Sequence, residues 1–124
     1  MNIYDCAHAL AKAIKTSPEY LKFQKAGEEL RKDKSAKEML EDLSKAQIEL
    51  QKQRVAGLEV APEQEKRLSQ MLEIVNLNKA AREYMEAEYR FSIMLIDVQN
   101  IISKAMEDLG PSPMPPEDPL SMAE

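Results

Sequence analysis

The chain has no tryptophan, one histidine, one cysteine and three glycines in 124 residues. Each scarcity removes a class of chemistry. A lone cysteine, Cys6, cannot close an internal disulfide, which fits a reducing compartment. A lone histidine, His8, cannot supply the paired imidazoles of a helical metal site, and it falls with Asp5, Lys12 and Lys15 on the polar side of a helix, as a solvated side chain. The glycines are scattered, and neither a phosphate-cradling loop nor a dinucleotide fingerprint can be written. No apolar run approaches the roughly 18 to 20 residues that span a bilayer. The opening Met1-Asn2-Ile3-Tyr4-Asp5 carries neither a basic segment nor an apolar one, so it does not read as a secretory leader and the expected location is cytoplasmic. The net charge is −5, with both signs interleaved and no basic patch holding aromatics, which argues against nucleic acid as a direct ligand.

What remains is abundant in helix formers, and the predicted fold is all-α: an antiparallel bundle of about five helices. A first helix over residues 3–15 turns Ile3, Cys6, Leu10, Ala13 and Ile14 inward, making Cys6 a buried, inert thiol. Ser17-Pro18 closes it and starts a second helix over 18–32. That helix buries Tyr20 or Leu21, Phe23 or Gln24, Gly27 and Leu30, with Gly27 marking a close helix crossing. Ser35-Ala36-Lys37-Glu38 matches a capping box and begins the third helix, whose apolar face carries Met39, Leu40, Leu43, Ala46, Gln47 and Leu50. Gly57 ends it and Pro62 opens the fourth, so these two fold back antiparallel. The fourth carries Leu68, Met71, Leu72 and Val75, and Asn76-Leu77-Asn78 marks a kink or a brief break before the fifth. From Gly110 onward, Pro-Ser-Pro-Met-Pro-Pro-Glu-Asp-Pro forbids helix continuation. The expected organisation is one helical domain over 1–109 and a flexible Pro-rich tail over 110–124, in which Pro113 and Pro116 have the spacing of a PxxP ligand.

The strongest pattern lies in the fifth helix. Tyr84, Ala87, Phe91, Met94, Val98, Ile101, Ala105 and Leu109 recur every three or four residues, and Met85, Ile93, Leu95, Ile96 and Ile102 widen the band. A chain this short supplies little to cover so broad a face. The candidate interface is therefore Tyr84, Phe91, Met94, Leu95, Val98, Ile101, Ile102 and Leu109, buried in a homodimer or a higher homo-oligomer.

Chemistry at a site finds few candidates. No catalytic residue, cofactor-binding residue or metal ligand is assigned, no cofactor is expected, and the protein is read as a non-enzyme. The alternative is a metal- or cluster-binding bundle using Glu83, Glu86 and Glu88 with Cys6, although Glu83-Tyr84-Met85-Glu86 has the carboxylate spacing without the histidine, and Glu86 is placed to pair with Arg90. A third reading is a chaperone-like module that binds apolar segments through its methionines.

The opening Asn2-Ile3-Tyr4-Asp5, the run Asp33-Lys34-Ser35-Ala36-Lys37, the segment Gln47-Ile48-Glu49-Leu50-Gln51-Lys52-Gln53 ending at Gly57, and Met85-Glu86-Ala87-Glu88-Tyr89-Arg90 with Ser92 together resemble the YheA branch of the YlbF/YmcA group. The likeness covers residues 2–109. It implies an all-helical, bacterial, cytosolic and self-associating protein, with a cytosolic regulatory protein as a possible partner. Relatives in that group work in a regulatory complex affecting competence, sporulation, biofilm formation and RNA processing. Those relatives use several cysteines to bind iron–sulfur clusters. With Cys6 alone, no cluster held within one subunit is expected here.

Overall fold

The computed structural model describes residues 2–110. Five α-helices follow one another: α1 (Ile3–Lys15), α2 (Pro18–Arg31), α3 (Lys34–Val55), α4 (Pro62–Leu77) and α5 (Lys79–Lys104), with a 3-10 turn over Glu107–Leu109. Among the described residues there is no strand. The expected Pro-rich tail lies outside the described residues, apart from Gly110 itself, whose φ of 88° closes the turn.

Local chemistry sets each boundary. The Asn2 side chain accepts the Asp5 N–H at 2.8 Å and opens α1. Ser17 serves two helices at once, since its hydroxyl donates to the Ile14 carbonyl at 2.6 Å and accepts the Tyr20 N–H at 3.2 Å. At the start of α3 the structure corrects the capping box expected at Ser35. Asp33 is the cap, its carboxylate accepting the Ala36 N–H at 3.0 Å, and Ser35 lies within the first turn. A carboxylate at that position also favours the positive end of the helix dipole. Gly57, with φ 76°, ends α3: its N–H reaches the Arg54 carbonyl at 3.1 Å and the Leu58 N–H reaches Gln53 at 2.9 Å. This is the paired closure that a left-handed glycine permits. Pro62 then opens α4, where the Gln64 side chain accepts the Ala61 N–H at 3.0 Å. Between α4 and α5 the chain breaks rather than kinks. Asn78 is extended, and its side chain accepts the Ala81 N–H at 3.0 Å.

The chain divides into two units, Met1–Phe91 and Ser92–Glu124, with the division inside α5. In the first, α3 and α4 pack side by side as an antiparallel hairpin. Arg54 near the end of α3 meets Glu65 near the start of α4 at 3.2 Å. The core is Leu30, Ala36, Leu43, Val75 and Ala81, flanked by Met39, Leu40, Leu68, Met71, Ala80, Tyr84 and Met85. The first half of α5 joins α2 through rings: Phe23 stands 5.2 Å from Tyr84 and 5.5 Å from Phe91, and Tyr20 meets Phe91 edge-on at 5.9 Å. Gly27 faces Tyr84, but a Cβ built there would sit 3.8 Å from the ring, an ordinary contact, so this crossing does not require glycine.

Helix α1 departs from expectation. Ile3 is 78% exposed, Leu10 is exposed, Cys6 is a free exposed thiol, and of the thirteen residues only Ile14 is half-buried. The apolar period of α1 is real. What fails is the inference that this chain's own core covers it, because the core cluster is assembled from α2 to α5. The second unit contributes the distal half of α5 and the 3-10 turn. Helix α5 ends at Lys104, so Ala105 and Leu109 lie beyond it rather than on its stripe, and Leu109 sits in the turn.

Candidate functional site

The apolar band of α5 is one pattern distributed over two environments. Tyr84 and Phe91 are packed against α2, as just described. Burial, and secondarily the negative charge of Glu88, push the Tyr84 hydroxyl above its ordinary pKa of 10.0. Met94, Leu95 and Val98 are half-buried, whereas Ile101 and Leu109 are each 71% exposed and Ile102 is exposed as well. Sequence reasoning missed Tyr89. It precedes Ile93 by four residues and Ile96 by seven, and all three are exposed, forming a second apolar strip along the same helix. That spacing was legible, but the stronger stripe through Phe91 masks it.

Two of the grooves that border the first half of α5 hold the carboxylates in question. One, of about 360 Å³, is lined by Leu30, Leu40, Leu43, Tyr84 and Met85 together with Lys37, Glu41 and Glu88. The other, of about 380 Å³, has Ala26 and Ala87 among its walls with Lys22, Lys25, Arg90, Glu29, Glu83 and Glu86. Three acids face three bases there, so the groove presents no net charge to an ionic ligand.

The carboxylates considered for a metal are not brought together. Glu83 and Glu86 line the second groove, Glu88 lines the first, and Cys6 is exposed on α1. Among the described residues, no three His, Cys, Asp or Glu side chains converge as a metal-ligand set. His8 is exposed on α1. Glu86 and Arg90 share the second groove, while the ion pairs found among the described residues are Lys32–Glu29 and Arg54–Glu65. Among the described residues, no helix is long and apolar enough to cross a membrane.

The family model described as "Control of competence regulator ComK, YlbF/YmcA" matches residues 3–107. The chain belongs to the YlbF/YmcA family. Its match spans all five helices. Within the family, the chain is similar to a UPF0342 protein of Desulfitobacterium hafniense, at 39% identity over 90% of each chain. It is likewise similar to a UPF0342 protein of Halothermothrix orenii, at 34% identity over 86% of this chain and 91% of the relative. A solved structure, a protein of unknown function (DUF964) from Bacillus stearothermophilus, superposes with a TM-score of 0.76 at 25% identity, covering 90% of this chain and 98% of that one. The family is thus tied to control of a regulator, and these relatives carry no enzyme name.

Proposed function

We propose that this chain is a non-enzymatic regulatory protein of the bacterial cytosol that works through protein–protein contacts, and that it self-associates as a homodimer or a higher homo-oligomer. The observation that carries the reading is the distal part of α5. Ile101 and Ile102 are exposed on the same side as the half-buried Met94, Leu95 and Val98, Leu109 is exposed in the turn beyond the helix, and Ile93 and Ile96 lie on the second exposed strip with Tyr89. Contiguous apolar area of this kind marks interaction surfaces. Tyr84 and Phe91, the other two residues of the proposed interface, pack against rings of α2 within the first unit. In the assembled form, residues 1–109 act as one domain. The family's link to a competence regulator supports a further cytosolic partner, met by surface that self-association leaves free.

Sedimentation of the full chain over a range of concentrations tests this. Wild type is expected to assemble and Ile101→Asp to sediment as a folded monomer. A wild-type protein that stays monomeric at every concentration overturns the reading.

A further inference from the structure

We infer that Asn78 is an exchange hinge: in the assembled protein α4 and α5 run on as one helix, and the core face of α5 packs on α2 and α3 of a second copy of this chain. The inference rests on the self-association proposed above and says how it is built. A single residue parts the two helices, since α4 ends at Leu77 and α5 begins at Lys79. Asn78 has φ −92° and ψ 121°, so turning chiefly its ψ to the helical value of about −42° closes the break. A link this short lets one torsion decide whether α5 folds back on its own chain or reaches another.

Two exposed side chains beside the break point to the run-on form. Ile74 is 53% exposed and Leu77 is 84% exposed, although Val75 between them is buried. At about 100° per residue, a straight helix brings Ile74 and Leu77 within about 40° of Ala81. There they prolong the face of Ala81, Tyr84 and Met85, which packs on the core. Leu68, Met71 and Val75, the core contacts of α4, fall roughly 120° away around the same helix. A run-on helix therefore has two separate apolar faces. One serves the core of its own chain, and the other, lengthened by Ile74 and Leu77, serves a second core. In the broken helix that extension is turned into solvent.

The second core is that of another copy, because the surface α5 leaves is built from Leu30, Ala36 and Leu43 of this same chain. A second copy presents the identical surface, and the contacts of Ala81, Tyr84 and Met85 are remade without loss. Each copy gives one helix and receives one, as a closed two-fold assembly requires.

Lys25 of α2 and Glu86 of α5 are exposed on the walls of one groove, so they report which chain α5 lies on. A full-length chain carrying Cys6→Ser, Lys25→Cys and Glu86→Cys is treated with a short bismaleimide cross-linker and its products are sized under denaturing conditions. In parallel, Asn78→Ala and Asn78→Gly are sedimented over a range of concentrations. Alanine favours the run-on helix and removes the cap, whereas glycine disfavours that helix and nearly preserves the helix start. The expected result is a covalent dimer, with Asn78→Ala associating at least about tenfold more tightly than Asn78→Gly. If wild type assembles but the link forms only within single chains, and the two hinge variants associate equally, the exchange is overturned while self-association stands. A wild type that stays monomeric removes both.

Discussion

Helix α5 carries one apolar pattern along its length, and its two halves meet different fates. In residues 79–91, Ala81 is fully buried, Tyr84 and Met85 pack on the core, and Phe91 closes a ring cluster with Tyr20 and Phe23. In residues 92–104, the isoleucines at 93, 96, 101 and 102 face solvent. The difference teaches that a hydrophobic period reports which face of a helix wants cover, and says nothing about which chain supplies it. Helix α1 repeats the lesson, because its apolar period is regular and yet only Ile14 of that face is half-buried.

The contrast can be broken by making one kind of substitution in both environments. Leu43, 2% exposed at the centre of the core, should lose about 2–5 kcal/mol when changed to alanine. Ile101→Ala, by comparison, should change the stability of the monomer by no more than about 0.5 kcal/mol. Urea unfolding at concentrations below assembly measures both, and equal losses would mean that the distal half is packed after all. A smaller effect probes how the buried half is seated. Asp33→Ala and Asn78→Ala each remove a cap whose oxygen holds a helix N–H at 3.0 Å, and each should cost about 1 kcal/mol in the same assay. The smallest effect is confined to alkaline pH. The Tyr84 hydroxyl titrates higher in the folded protein than in the unfolded one, so the neutral ring favours the native state below the unfolded pKa. That contribution is lost as pH rises through the raised native value. Tyr84→Phe should therefore flatten the fall in stability above pH 10, measured as melting temperature against pH.

Much of the fold was legible. Ser17-Pro18, Gly57 and Pro62 punctuate the chain by well-defined backbone chemistry, and the end of α1, the starts of α2 and α4 and the end of α3 follow from them. Asn76-Leu77-Asn78 announced an interruption but left kink and break open, because either asparagine can cap. The structure chose Asn78, with the Asn76 carbonyl taken by Arg82 at 2.9 Å. Asp33 and Ser35 are both good cap residues two positions apart, and only packing, which buries Ala36 completely, decides between them. The exposure of Cys6 and Ile3 could not be read at all, since a helical wheel ranks the faces of α1 without locating anything to cover them. For the candidate interface, sequence supplied the residues of the stripe but not the division at Phe91, which depends on the partners Tyr20 and Phe23 from another helix.

The caps at Asp33 and Asn78 have one more consequence. Asp33-Lys34-Ser35-Ala36 and Asn78-Lys79-Ala80-Ala81 are two versions of the same start, each ending in an alanine with no exposed surface whose N–H is tied back to the cap. The two longest helices of the chain are thus indexed from their first turns, where a methyl group fits a closed socket and leaves no room to slide. Further along, α3 is held again by the buried Leu50 and by the Arg54–Glu65 pair, and the first half of α5 by the rings around Phe91. Each first turn thus works like the zero mark of a ruler, setting the register of the residues that follow it on its own helix.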